Sequence, residues 1–83
     1  VFKGVEYAIK AGRIGKSMPA VYNAANEIAV EEFINGNIKF LEIYEVIKKT
    51  MDNHKVHEVL TLEEVIKADT WAREEAKRII KKK

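Results

Sequence analysis

Apolar side chains cover nearly the whole circumference of a predicted helix that begins near Met18. Ser17 and Pro19 at its start are residue types favoured at an N-cap and in a first helical turn. Gly36 follows about five turns later and is a typical helix stop. A helix that is apolar almost all round is buried on several sides, so the pattern predicts a central helix ending at about Asn35.

A first amphipathic helix is predicted before the central one. Phe2, Val5, Ala8 and Ile9 recur at helical spacing, and Gly12 follows them. Glycine readily adopts the left-handed conformation that ends helices, so the pattern predicts a helix end at Gly12. Residues 12–16 then form a short turn.

Two further helical segments follow the central helix. Residues 38–41 are predicted to form a brief extended connector, after which apolar spacing from Ile43 indicates a third helix ending near Asn53. Thr61 and Glu64 have the spacing of a capping box, in which each side chain satisfies a backbone N–H of the other residue. A fourth helix, with its own apolar stripe, is therefore predicted to start at Thr61.

Asp69 interrupts the fourth stripe, and we interpret it as the N-cap of a new helical segment, which predicts a kink or break. No segment shows the period-2 alternation of a strand. The expected fold is therefore an all-α bundle of four to five helices with short loops, in a single domain covering residues 1–83.

Charge and composition exclude several classes of function. The net charge of +2 comes from basic residues at the C-terminal end, which suit the carbonyl end of a helix and do not indicate nucleic-acid binding. No apolar run approaches the length of a membrane span, so no membrane partner is expected. The absence of cysteine fits a reducing compartment, and we expect a cytoplasmic protein. The basic residues are Lys77, Arg78, Lys81, Lys82 and Lys83.

The histidines do not form a recognisable metal motif. His54 and His57 stand near Asp52 and Glu58 on a predicted loop, but the spacing matches no established zinc signature. We therefore interpret them as two solvated loop histidines and predict no metal site.

The segment before the central helix superficially resembles a phosphate-binding loop. Gly12, Gly15, Lys16 and Ser17 lack the glycine spacing of that loop and follow a helix rather than a strand. Arg13 and Lys16 beside a helix N-terminus leave anion binding as an alternative to an ordinary helix start. Local sequence brings no histidine near Ser17, so a nucleophile is not predicted.

One polar stripe on the central helix has no compositional explanation. Asn23, Asn26 and Glu27 lie three and four residues apart on a largely apolar helix, and Glu31 continues their stripe. Buried polar groups are usually hydrogen-bonded to backbone, so we interpret these residues as a structural polar cluster that anchors loop backbone. Trp71 beside Arg73 is interpreted as a helix-packing aromatic residue.

The segment from Pro19 to Val30, with its Asn-Ala-Ala-Asn-Glu core at residues 23–27, resembles the C-terminal domain of 1-deoxy-D-xylulose 5-phosphate reductoisomerases. The resemblance continues in order through Phe33, Gly36 and the Ile-Lys-Phe-Leu-Glu-Ile stretch at 38–43. It also includes the closing segment, Thr-Leu-Glu-Glu-Val at 61–65 and Ala-Asp-Thr-Trp-Ala-Arg-Glu at 68–74.

The resemblance implies a cleft-supporting domain without catalytic residues of its own. The parent enzymes convert 1-deoxy-D-xylulose 5-phosphate to 2-C-methyl-D-erythritol 4-phosphate in non-mevalonate isoprenoid biosynthesis, using NADPH and Mg²⁺ or Mn²⁺. No stretch here corresponds to their cofactor, metal or substrate-loop residues, so no catalytic, cofactor-binding or metal-binding residue is assigned.

The expected partner is the remainder of the same enzyme, a homodimer by resemblance. The chain begins at Val1 within a predicted helix, so we expect a piece of a longer polypeptide. The outer sides of the first two helices should then carry an exposed apolar patch. The alternative is a free-standing helical module that binds an acidic protein or nucleic acid through its basic end.

Overall fold

The computed structural model describes residues 3–82, with side chains described from Val5 onward, so Phe2 and Lys83 lie outside the described residues. This range contains four α-helices and no strand, which confirms the all-α prediction. The helices are α1 (Lys3–Ile14), α2 (Met18–Ile34), α3 (Phe40–Asp52) and α4 (Leu62–Lys81).

The predicted end of α1 at Gly12 is wrong, because the helix continues to Ile14. Gly15 has a φ of 68° and donates its N–H to the carbonyl of Ala11 at 2.9 Å, so Gly15 carries the left-handed conformation that ends the helix. Gly12 is exposed inside the helix, where glycine costs only about 0.5–1 kcal/mol relative to alanine. Gly12 and Gly15 both fit the rule that a glycine follows the end of a helix, and in the structure it is Gly15 that does so.

The boundaries predicted for α2 are confirmed. Ser17 is the N-cap residue, and Pro19 lies in the first turn. The helix ends at Ile34 with Asn35 as C-cap, and Gly36 follows with a left-handed φ of 80°. The Ser17 side chain makes no capping hydrogen bond, because it points to other partners.

The extended connector predicted at residues 38–41 is shorter than expected. Lys39 has extended backbone angles, and its N–H donates to the Glu42 carboxylate at 2.7 Å. That hydrogen bond satisfies the start of the helix, so α3 begins at Phe40 and includes Leu41. Ile38 is buried in the core.

The N-terminus of α4 has half of the predicted capping box. Thr61 Oγ1 accepts a hydrogen bond from the Glu64 N–H at 3.2 Å, as expected for an N-cap. The Glu64 carboxylate accepts from the N–H of Leu60 at 3.3 Å, one residue earlier than the capping box requires. The cap prediction is therefore confirmed for Thr61 and shifted by one residue for Glu64.

The break predicted at Asp69 is wrong, since α4 is continuous from Leu62 to Lys81. Asp69 Oδ1 accepts a hydrogen bond from Arg73 Nε at 2.6 Å, one turn later on the same helix. A carboxylate paired at this spacing supports helix formation and has no need to act as a cap.

The core lies where α2 packs against all three other helices, which confirms its central position. Within the described residues, α2 and α4 each bury three alanines, which lets the two helices approach closely, whereas α3 buries larger side chains. The buried alanines are Ala24, Ala25 and Ala29 on α2 and Ala68, Ala72 and Ala76 on α4. The buried residues of α3 are Ile43, Val46, Ile47, Thr50 and Met51.

Candidate functional site

The polar stripe of α2 faces α4 side chains. Asn23 Nδ2 donates to Glu27 Oε2 at 3.1 Å, and Arg73 Nη2 of α4 donates to the same oxygen at 3.2 Å. Asn23 and Glu27 are exposed, and Asn26 makes no side-chain hydrogen bond within residues 5–82. The predicted anchoring of loop backbone by these residues is not seen in that range. The stripe instead links two helices.

Ser17 and the two histidines lie close together, a contact that no local sequence pattern predicts. Ser17 Oγ lies 2.7 Å from His54 Nε2, and the N–H of His57 donates to Ser17 Oγ at 3.0 Å. The N–H of Ser17 donates to the carbonyl of His57, also at 3.0 Å. Local sequence could not predict this contact, because it spans 37 residues of the chain.

Only one of the two histidines has the solvated environment predicted for both. His57 is exposed, whereas His54 is half-buried, and its ring centroid lies 4.9 Å from that of Trp71. Burial, and secondarily the nearby His57, lowers the pKa of His54 below its usual value. Trp71 packs against the core as predicted.

The Ser17 and His54 pair does not have the arrangement of a nucleophilic site. Ser17 is 0% exposed, and its hydroxyl oxygen is already bonded to two groups of the chain. A nucleophile must reach a substrate, and the activating base needs a third group to orient it. We therefore assign this pair a structural role.

The side chains once considered as metal ligands do not converge. Asp52 pairs with Lys48 at 2.7 Å, and His57 Nδ1 lies 3.0 Å from the carbonyl oxygen of Glu58. Within the part of the chain that the structure describes, no group of three or more metal-binding side chains exists. An open cavity of about 460 Å³ adjoins the histidines. It is lined by Asn53, His54, Lys55, His57, Glu64, Lys67, Ala68 and Trp71.

Arg13 and Lys16 are the residues considered for anion binding. Arg13 lines an open cavity of about 490 Å³ along α1, together with Glu6, Ile9, Lys10 and Ile14. Lys16 lies in the turn with a left-handed φ of 52°.

Large exposed apolar side chains form three groups within the described residues. The first two groups lie on α1 and around the α2–α3 junction, as predicted for the outer sides of the first two helices. The third, here called the α4 apolar face, was not predicted, because the sequence pattern assigns Leu62, Val65 and Ile66 to the same apolar stripe as the buried residues of α4. The α1 group is Val5, Ile9 and Ile14; the junction group is Val30, Phe33, Ile34, Phe40 and Leu41; the α4 apolar face is Val56, Leu60, Leu62, Val65 and Ile66.

None of the described helices combines the length and the apolar character needed to cross a bilayer.

Comparison with known proteins identifies the fold as that of a domain in a larger enzyme. The 1-deoxy-D-xylulose 5-phosphate reductoisomerase of Thermodesulfovibrio yellowstonii is 54% identical over 80 residues, covering 96% of this chain and 21% of that protein. The Citrifermentans bemidjiense enzyme of the same name is 49% identical over 79 residues, covering 95% and 20%. The chain thus spans about a fifth of the length of these relatives.

A solved structure shows the same arrangement of helices. The 1-deoxy-D-xylulose 5-phosphate reductoisomerase from Zymomonas mobilis in complex with NADPH superposes with a TM-score of 0.86 at 37% identity, over 90% of this chain and 20% of that one. The family profile described as "DXP reductoisomerase C-terminal domain" matches residues 1–75. The chain therefore belongs to the family of DXP reductoisomerase C-terminal domains.

Proposed function

We propose that this chain is the non-catalytic helical domain that supports the active-site cleft of a 1-deoxy-D-xylulose 5-phosphate reductoisomerase. The parent enzyme would rearrange and reduce 1-deoxy-D-xylulose 5-phosphate to 2-C-methyl-D-erythritol 4-phosphate for isoprenoid synthesis. The observation that carries the proposal is a complete helical core with large apolar side chains left exposed, in a chain that matches about a fifth of its relatives. Such surfaces usually mark interfaces.

The chemistry of the interior supports a scaffold. No buried side-chain nitrogen or oxygen in the described part of the chain lacks a hydrogen-bond partner. Ser17 bonds to the α3–α4 loop (residues 53–61), and the Thr50 hydroxyl donates to the carbonyl of Val46 at 2.8 Å. Catalytic sites commonly contain polar groups that are free to bind a ligand. Ser17 and Thr50 instead form hydrogen bonds within the chain and stabilise the fold.

The cofactors belong to other parts of the parent enzyme in this proposal. The acidic and imidazole side chains at residues 5–82 do not fit a divalent metal, which requires several converging oxygen or nitrogen ligands. NADPH and Mg²⁺ or Mn²⁺ would therefore bind the parent enzyme outside this chain. The parent is proposed to be a cytoplasmic homodimer.

The structural polar cluster of Asn23, Asn26 and Glu27 has a scaffolding role in the proposal. Glu27 accepts hydrogen bonds from Asn23 and from Arg73, so the cluster restrains α2 against α4. Exposed ion pairs contribute only about 0–1 kcal/mol, so the restraint mainly sets helix orientation. The family match gives no support to the alternative of a free-standing interaction module.

The α4 apolar face is the surface we assign to the rest of the parent enzyme. Leu60 and Leu62 are 80% and 74% exposed, and Ile66 follows Leu62 one helical turn later. Burial of a leucine or isoleucine side chain contributes about 1.5–3 kcal/mol. Four-fifths of each relative lies outside the matched segment and supplies a partner of sufficient size.

A domain exchange tests the proposed function. The matching segment of the Thermodesulfovibrio yellowstonii relative is replaced by this chain, and oxidation of NADPH dependent on 1-deoxy-D-xylulose 5-phosphate and Mg²⁺ is measured. We expect the chimera to keep most of the activity of the intact relative, and both the relative truncated before the segment and the isolated 83-residue chain to be inactive. A folded but inactive chimera, or a fully active truncation, would contradict the proposal.

A further inference from the structure

The turn between α1 and α2 is joined to the α3–α4 loop by three hydrogen bonds around one buried serine. Ser17 donates its N–H to the carbonyl of His57, and the N–H of His57 donates to Ser17 Oγ, both at 3.0 Å. The third bond joins Ser17 Oγ and His54 Nε2 at 2.7 Å. Because Ser17 is fully buried, water cannot replace a lost partner.

The donors and acceptors around Ser17 determine the protonation state of His54. A serine hydroxyl has one hydrogen to donate, and Ser17 Oγ already accepts from the N–H of His57. The hydroxyl hydrogen finds an acceptor only if His54 Nε2 carries no proton. The neutral His54 tautomer with its hydrogen on Nδ1 therefore satisfies the Ser17 hydroxyl as both donor and acceptor. A protonated ring would donate to Ser17 Oγ and leave the buried hydroxyl hydrogen without this acceptor.

Charged side chains of both signs lie around His54, and among them the His57 imidazole lowers the pKa of His54. The cavity beside it is lined by Lys55 and His57 from the loop and by Lys67 and Glu64 from α4. The carboxylate of Glu64 is held by the N–H of Leu60 at 3.3 Å. The His54 and His57 ring centroids lie 5.5 Å apart, so two protonated rings would repel each other.

The aromatic and turn neighbours of His54 add no negative charge. Trp71 of α4 covers one side of the ring, with a centroid separation of 4.9 Å, and removes that side from water. On the turn, the residue next to Ser17 is Lys16, whose side chain is exposed. Desolvation of an imidazole favours its neutral form.

We propose that the hydrogen bond between His54 and Ser17 is a pH-sensitive contact that holds the α3–α4 loop against the α1–α2 turn. Neutral His54 accepts the Ser17 hydroxyl hydrogen and holds the loop against the turn. Protonation of His54 reverses the direction of this bond and leaves the buried hydroxyl hydrogen without an acceptor, which favours release of the loop. The loop carries Val56 and Leu60, so release also disturbs part of the α4 apolar face. This inference concerns the fold of the chain and does not rest on the proposed enzyme function.

The sign of the pH dependence follows from the lowered pKa of His54. An imidazole protonates more readily in the unfolded chain, where its pKa is about 6.5, than in the folded domain. Neutral His54 therefore makes its full contribution to the free energy of unfolding above about pH 6.5. This contribution is lost as the pH falls from there through the pKa of His54 in the folded domain.

The test combines ¹⁵N NMR of the histidine rings with hydrogen exchange of the isolated chain. We expect His54 to show the neutral Nδ1–H tautomer at about pH 7.5 and to protonate only at a pH below that of a histidine in an unfolded peptide. Between about pH 7.5 and pH 5, the protection factors of the Ser17 and His57 amides, corrected for intrinsic exchange, should fall more than that of Ile47.

Two glutamine variants separate the effect of His54 protonation from the effect of low pH on the whole domain. His54→Gln places an amide oxygen that can accept from Ser17, and it should remove most of the pH dependence at the Ser17 and His57 amides. His57→Gln keeps the hydrogen bond between Ser17 and His54 and should retain the pH dependence at both amides. A His54 ring protonated on Nε2 at neutral pH, or equal pH dependence in wild type and His54→Gln, would overturn the proposal. The ring measurement on wild type decides the matter if His54→Gln fails to fold.

Discussion

Replacing Ile47 with alanine is expected to remove a large part of the stability of this domain. Ile47 is fully buried on α3, and truncation of such a side chain costs about 2–5 kcal/mol because a cavity is left behind. A domain of 83 residues has a total unfolding free energy of roughly 4–12 kcal/mol. We expect urea denaturation to show a much lower midpoint for Ile47→Ala, with much of the chain unfolded in water if the total is near the lower end.

A matched variant on the same helix shows whether burial is the cause. Leu41 also lies on α3 but is 75% exposed, so Leu41→Ala should change the unfolding free energy by less than about 0.5 kcal/mol. Similar losses in the two variants would mean that α3 does not pack on α2 through Ile47.

Replacing Leu62 and Ile66 together with glutamine is expected to leave the isolated chain stable and to weaken the chimeric enzyme strongly. Both side chains are exposed in the domain, and glutamine supports a helix well. Within the parent enzyme each would be buried, so the pair should lose roughly 3–6 kcal/mol of domain docking. The measurement compares urea midpoints of the isolated chain with NADPH oxidation by the chimera.

The control for this prediction uses the same substitution at exposed polar positions of α4. Glu74→Gln with Lys77→Gln should affect neither the isolated chain nor the chimera, because both residues are exposed polar residues outside the α4 apolar face. If the Leu62 and Ile66 variant behaved like this control in the chimera, the α4 apolar face would not be the docking surface.

Local sequence rules located the helices of this domain because each depends on residues close together in the chain. Gly36 and Thr61 mark boundaries that need only one backbone conformation or one hydrogen bond. Gly12 and Gly15 show the limit of such rules, since either could end α1. Asp69 shows another limit, because an aspartate can cap a helix or pair with a cation one turn later, and Arg73 decides between them.

The contact between Ser17 and His54 could not be predicted in the same way. It joins residues 37 positions apart and depends on how the α3–α4 loop folds back over the α1–α2 turn. The exposure of Leu62 and Ile66 could not be predicted either. Apolar spacing along a helix does not show whether the surface that packs against it belongs to the same domain or to another one. The sequence resemblance, in contrast, identified the family from the Asn-Ala-Ala-Asn-Glu core and its following segments.

The most direct test of a scaffold without catalytic groups is the turnover number of the chimera that carries both His54→Gln and His57→Gln. A catalytic general acid or base typically contributes about 10²–10⁴-fold to the rate. If the domain only supports the cleft, kcat for NADPH oxidation at about pH 7.5 should change far less than that. A loss of roughly 10²-fold or more in a chimera that remains folded would contradict the account, because it would place a histidine of this domain in the chemistry.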